Sequence, residues 1–152
     1  MDAYTFAKYT VTSRDGYNNT STDGVSNINL ASTSSSANKK FVISSFDTPG
    51  RARGLTVSGN YAYVADYGSG LGIYNVSNVA VPTFMGAFDT ASTAYDVVVS
   101  GAYAYLADYN TGLEIFDVNN PSVPTRMSAL DTDGTAYDLA LSGAYVYLAD
   151  SD

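Results

Sequence analysis

The sequence contains no cysteine, no histidine and no tryptophan. Without cysteine there are no disulfides, thiolate metal sites or thiol nucleophiles. Without histidine there is no Ser-His or Cys-His pair, no imidazole ligand and no side chain whose ordinary pKa lies near neutrality. Cations are scarce too. Seven Lys and Arg stand against fifteen Asp and Glu, for a net charge of −8. That balance argues against a nucleic-acid partner, because phosphate binding needs clustered cations to displace counterions. No run approaches the roughly 20 apolar residues of a membrane-spanning helix. Met1-Asp2-Ala3-Tyr4 lacks the basic and apolar regions of a signal peptide, so the expectation is either a cytoplasmic protein or a leader missing from this chain.

What is present is apolar and repetitive. The 152 residues are 45% hydrophobic and include fourteen Tyr and six Phe, enough for one domain with a sizeable core. Asp47-Thr48 recurs as Asp89-Thr90 and Asp131-Thr132; Gly59 recurs as Gly101 and Gly143; Asp66 recurs as Asp108 and Asp150. Every step is 42 residues. The units read as 41–83, 84–125 and a truncated 126–152. Each begins with a short strand, Phe41 to Phe46 in the first and Phe84 to Phe88 in the second. A second strand such as Tyr95 to Val99 turns at Ser-Gly into a third, Ala102 to Ala107. The loop Asp108 to Gly112 leads to the fourth, Leu113 to Val118. No window keeps a helical period. Four strands in 40–45 residues is the spacing of a β-propeller blade, and apolar groups on both strand faces suit a sheet covered on each side. The fold class expected is all-β: repeated four-stranded antiparallel propeller-type blades forming an incomplete ring in one chain.

The run Ala94-Tyr95-Asp96-Val97-Val98-Val99-Ser100-Gly101-Ala102-Tyr103-Ala104-Tyr105-Leu106-Ala107-Asp108, followed by Gly112-Leu113-Glu114-Ile115-Phe116-Asp117-Val118, resembles the LVIVD repeat. The resemblance covers 41–152. It implies propeller-type units and the surface or secreted setting of bacterial and archaeal proteins that carry the repeat, and it transfers no catalytic residue. Residues 1–40 depart from the pattern and read as a degenerate N-terminal blade or a strand-donating arm. A degenerate unit can be traced if Val11 matches Val57 and Gly24-Val25 matches Gly70-Leu71, and the apolar positions of Val25, Ile28 and Leu30 favour that blade over an arm.

The candidate sites are weak as chemistry. Asp66-Tyr67-Gly68-Ser69-Gly70, Asp108-Tyr109-Asn110-Thr111-Gly112 and Asp150-Ser151-Asp152 resemble the opening of a calcium loop. They lack its later ligands, and hairpin turns explain them better. Asp47, Asp89 and Asp131 read as carboxylates accepting Thr and backbone hydrogen bonds at a turn. Tyr61, Tyr63, Tyr103, Tyr105, Tyr145 and Tyr147 hold repeat-equivalent strand positions and read as packing; Tyr67 and Tyr109 lie in loops and read as exposed. Glu114 is unusual, standing where Gly72 stands one unit earlier, but a glycosidase needs a pair of acids. Asn18, Asn19 and Asn75 begin sequons. The expectation is therefore no catalytic residue, no metal ligand, no cofactor and no enzyme activity, with a carbohydrate or other surface ligand as the alternative to a purely structural role.

The final unit has no counterpart of Leu113 to Val118, so Tyr145 to Ala149 needs a partner strand. The runs Tyr4-Thr5-Phe6 and Tyr9-Thr10-Val11 are candidates to supply one from another chain. Residues 1–53 hold six basic and four acidic residues, while 54–152 hold Arg126 and eleven acidic residues. A basic front and an acidic rear suit a head-to-tail homo-oligomer. An open filament is expected in preference to a ring, with a fragment of a longer surface protein as the competing reading.

Overall fold

The computed structural model describes residues 7–12, 27–33 and 40–151. Among the described residues there are thirteen strands and no helix. An N-terminal sheet has the order β1 (Ala7–Thr12), β2 (Asn27–Thr33), β3 (Lys40–Asp47). A four-stranded sheet follows, β4 (Gly54–Ser58), β5 (Tyr61–Ala65), β6 (Leu71–Asn75) and β7 (Thr83–Phe88). The second four-stranded sheet is β8 (Ala94–Ser100), β9 (Tyr103–Asp108), β10 (Gly112–Asp117) and β11 (Thr125–Leu130). The last sheet has two strands, β12 (Thr135–Ser142) and β13 (Tyr145–Ser151). All pairings within the sheets are antiparallel.

The repeated glycines set the hairpins. Gly59, Gly101 and Gly143 each take φ near +57° to +59° at the first position of a two-residue turn, where a side chain would be strained. The middle strands of the four-stranded sheets, β5, β6, β9 and β10, are rich in Val, Ile, Leu and Tyr and are covered on both faces, as a sheet stacked between sheets requires.

The phase of the unit differs from the 41–83 and 84–125 division. Thr83–Phe88 closes the sheet begun by Gly54 as its outer strand, and Thr125–Leu130 closes the next. A strand that reads from sequence as the start of a unit is therefore the last strand of the preceding one. The register also revises the match of Val11 to Val57. Val11 pairs with Ile28 of β2, so β1 lies directly against β2, whereas Val57 lies on inner strand β4 and pairs with Ala62. The same bulge recurs in three sheets, at Leu30/Ala31, Ile73/Tyr74 and Ile115/Phe116. Residues Ser44, Gly86 and Ser128 face it, one period apart. The N-terminal sheet is thus built on the repeat's plan, with β1 in the place of β5.

Three apolar layers join the sheets. The first holds Ala62, Val64 and Tyr74 of β4–β7 with Phe46 of the N-terminal sheet. Ring centroids of Phe46 and Tyr74 lie 4.9 Å apart. The second holds Tyr63, Leu71 and Ile73 against Leu106, Phe116 and Val118. The third holds Ala107, Tyr105 and Leu113 against Leu139, Val146 and Leu148. Each of the two four-stranded sheets therefore buries one face against its predecessor and the other against its successor.

Candidate functional site

The repeated carboxylates are interior struts. Asp66 is buried at the end of β5, where Oδ1 accepts the Thr48 hydroxyl at 2.8 Å and Oδ2 accepts the Gly50 amide at 2.8 Å. Burial raises its pKa, and the Gly50 and Thr48 hydrogen bonds oppose the rise. The recurring Asp-Thr pair is thus explained by its threonine. Thr48 and Thr90 are buried, whereas Asp47, Asp89 and Asp131 are exposed. The turn expected at those three aspartates is carried by their neighbours, because a hydroxyl can enter the interior at lower desolvation cost than a carboxylate. Asp108 is fully buried in the equivalent place. Burial raises its pKa, and the groups of Thr90, Ser92 and Thr93 around it hold the rise down, although neither oxygen closes a hydrogen bond of good geometry. The loops after both aspartates are turns. Ser69 donates to the Asp66 carbonyl and Thr111 to that of Asp108, with Gly70 and Gly112 at positive φ. Among the described residues no three carboxylates gather around a common point. Asp152, Asn18 and Asn19 lie outside the described residues. The Asn75 side chain accepts the amide and hydroxyl of Ser77.

Glu114 is fully buried between the two four-stranded sheets, and its Oε1 accepts Arg126 Nη1 at 2.7 Å. The exchange with the preceding unit is paired. Gly72 and Phe84 occupy the positions of Glu114 and Arg126, and Phe84 packs on Tyr74 at 5.6 Å. One unit uses an aromatic contact where the next uses an ion pair.

A half-exposed aromatic row crosses the units at the start of the inner strands. Arg53, Tyr95 and Tyr137 are one period apart, as are Tyr67 and Tyr109 in the loops. The Arg53 guanidinium sits over the rings of Tyr67 and Tyr95 at 5.2 and 5.3 Å. Tyr95 stacks on Tyr109 at 5.5 Å and meets Tyr137 edge-on at 5.2 Å. Tyr67 and Tyr109, expected to be exposed, are half-buried because each receives the rung residue fourteen positions earlier. Below the row, Asp96 bridges three units. A Cβ on Gly54 would stand 2.5 Å from Asp96 Oδ1, and Asp96 Oδ2 accepts the Leu139 amide at 2.9 Å. Burial raises the Asp96 pKa. The Leu139 and Val97 amides lower it, and the carboxyl of Asp138 raises it. Sequence reasoning passed over Arg53, Tyr95, Asp96 and Tyr137. Their common 42-residue spacing was the available signal.

The last sheet presents an uncovered face. Tyr63 is 4% exposed beneath β8–β11, and Tyr105 is half-buried beneath the two strands β12 and β13. Tyr147, in the same position, is 56% exposed and Tyr145 is 70% exposed. Tyr103 is exposed as well. Packing was expected at all six strand tyrosines. It fails at these three because burial depends on how many strands the next unit lays over them. In the place where β5 pairs with β6 and β9 with β10, β13 has no further strand among the described residues.

Repeated four-stranded antiparallel sheets, stacked face to face with aligned inner strands, define a propeller-type repeat protein. The LVIVD repeat model matches residues 49–90, 91–132 and 133–152, and the chain belongs to that family. The matches keep the 42-residue step and begin ahead of the inner strands, in agreement with the observed phase of the sheets. No curated protein matches the chain at significant similarity. Among solved structures, a functionally unknown protein from Desulfotomaculum acetoxidans DSM 771 is similar in fold. Its TM-score is 0.60 at 22% identity, over 72% of this chain. The chain spans 39% of that protein's length.

Proposed function

We propose that the chain is a non-enzymatic structural module of the cell surface or extracellular space that self-associates through β-strand completion between subunits. The observation that carries this reading is the rear sheet, where an exposed Tyr145–Tyr147 face lies beside a β13 edge that has no further strand among the described residues. Edge strands with unpaired backbone groups and apolar neighbours recruit another strand unless they are blocked. Arg126 is the only basic residue behind residue 53, and no Pro lies in β12 or β13 to blunt the edge. The surface setting rests on the resemblance of the repeat to those of surface and secreted proteins. Light scattering of the purified chain across a concentration series tests the reading. Species heavier than 16.0 kDa support it, and a constant single-chain mass up to high concentration overturns it.

The aromatic row supports a second reading, a ligand- or protein-binding propeller module within a longer surface protein. Half-buried Tyr95 and Tyr109 and exposed Tyr137 offer ring surface beside the carboxylates of Asp96 and Asp138, a combination suited to carbohydrate. Saturable quenching of tyrosine fluorescence by a soluble oligosaccharide, lost in Tyr137→Ala, would favour it.

A further inference from the structure

We infer that Asp108, Glu114 and Thr90 form a binding site for one small hard cation, buried where the two four-stranded sheets meet. The inference goes beyond the self-association proposed above and is independent of it. The site is not the loop that follows Asp108, which remains a turn.

Unpartnered oxygens carry the first step. Among the described residues five buried side-chain oxygens lack a hydrogen-bond partner, and four of them are Thr90 Oγ1, both carboxylate oxygens of Asp108 and Glu114 Oε2. All three residues are buried, the two acids completely. Asp108 pairs with Gly112 across β9 and β10, and Glu114 lies two residues further along β10, opposite Leu106. The two acids therefore share one face of the sheet as diagonal neighbours, a separation that long side chains bridge. The charge of Asp108 is felt at Glu114, whose pKa it helps to raise, and the Thr90 hydroxyl is felt at Asp108, whose pKa it lowers.

The preceding unit shows why these oxygens are free. There the Asp66 carboxylate is satisfied by the Thr48 hydroxyl and the Gly50 amide. Gly50 approaches because it has no side chain: a Cβ on it would run into the Asp66 carbonyl oxygen and stand 3.0 Å from Asp66 Cγ. One period later the residue is Ser92. Its Cβ forbids the same approach, and its Oγ accepts the Asn110 amide at 3.1 Å instead. A second exchange adds an acid. The ring of Tyr74 covers Gly72, with Oη 3.2 Å from where a Cβ would stand, and the phenol feels the charge of Asp66. One period later Glu114 replaces the glycine and Phe116 the tyrosine. A phenol donates a hydrogen bond, whereas an ionised carboxylate only accepts. The second unit has thus lost two donors beside its buried aspartate and gained an acceptor.

Charge sets the kind of ligand. Asp108 and Glu114 carry two negative charges, and Arg126 at 2.7 Å from Glu114 Oε1 supplies one positive charge. One buried negative charge is left over, and a charge without a partner in the interior is costly. An anion is repelled, and a soft metal finds no sulfur or nitrogen ligand. Carboxylate and hydroxyl oxygens are the donors of hard cations, with carbonyls or water completing the shell. The ion ties the corner after β7, which carries Thr90, to β9 and β10, and so fastens one sheet to the next. A proton on one of the acids is the competing way to relieve the same repulsion.

The test melts the full chain in EDTA-treated choline chloride and adds CaCl2, MgCl2 or NaCl at constant ionic strength. At least one of these cations should raise the melting temperature saturably, by roughly 5–10 °C at a hundredfold excess over its dissociation constant. Isothermal titration calorimetry with that cation should give one ion per chain. Asp108→Asn should abolish the response. So should the triple variant Glu114→Gly/Phe116→Tyr/Arg126→Phe, which installs the residues that the preceding unit already accommodates at Gly72, Tyr74 and Phe84. Asp66→Asn, in the satisfied corner, should keep it. No response to any of the three cations would overturn the site and leave the proton in its place. A response that survives in either of the first two variants, or is lost in Asp66→Asn, would put the ion elsewhere and overturn the assignment.

Discussion

At the scale of single residues, the interior of this protein holds acids that most domains keep at the surface. Glu114 is fully buried, and Arg126, itself 44% exposed, is its partner at 2.7 Å. Removing one member of a buried pair typically costs about 3–5 kcal/mol, because the other charge is left uncompensated. Here water screens the exposed guanidinium, so Arg126→Ala is expected to cost about 2–3 kcal/mol in urea unfolding at pH 7. Glu114→Gln/Arg126→Ala should recover part of that loss. No recovery would mean that the arginine stem contributes only packing. Asp66, Asp108 and Glu114 share a second property: burial is the first cause that raises each carboxyl pKa. Between the unfolded and the raised folded pKa the native state binds more protons than the unfolded chain. Stability is therefore fullest below that window and falls as pH rises through it. Acidification from neutral pH toward the ordinary carboxylate range, about pH 4, should raise the melting temperature, measured by circular dichroism. A steady fall on acidification would mean that the burial of these three carboxyls does not govern the acid side of the stability curve.

At the scale of elements, one tyrosine position read in three units shows what a sheet requires of its successor. Tyr63 lies beneath four strands, Tyr105 beneath two and Tyr147 beneath none among the described residues. Tyr63→Ala is expected to destabilise the chain by about 3–5 kcal/mol, as aromatic truncations in cores do. Tyr105→Ala should cost less. Tyr147→Ala in the dissociated chain should fall within about 0.5 kcal/mol of wild type, as exposed substitutions do. Equal costs for the three would contradict the stacking of the sheets. The 42-residue period made the strands, hairpin turns and repeat family legible, because Gly59, Gly101 and Gly143 must each take positive φ. It did not reveal which four strands share a sheet. A sheet's outer strand lies across a long connection, and Thr83–Phe88 fits either neighbour by composition. Nor does it reveal the pairing of Thr48 with Asp66: both are markers of the repeat, but only the fold brings residues eighteen apart to 2.8 Å. The row from Arg53 to Tyr137 was hidden because the rung changes identity, and a repeat search built on identical residues passes over an arginine that stands where two tyrosines follow.

At the scale of the whole molecule, folding and assembly draw on the same kind of surface. The layer that covers Tyr63 within the chain and the layer proposed to cover Tyr147 between chains use equivalent positions of the repeat. A chain stabilised by a second copy is stabilised by mass action, so its melting temperature must rise with concentration. For a pair, a tenfold rise in concentration contributes about 0.7 kcal/mol per chain, half of the tenfold free-energy interval. The unfolding entropy of globular proteins is about 2.1 cal/mol/K per residue, roughly 0.3 kcal/mol/K for a chain of this length. The melting temperature should therefore climb by about 2 °C per decade of concentration. Calorimetry over two decades resolves a shift of that size. Tyr147→Ala should flatten the dependence by removing interface area while leaving the melting point of the dilute chain nearly unchanged. A concentration-independent wild type would place all of its stability inside one chain and overturn self-association as the cover of the rear-sheet tyrosines.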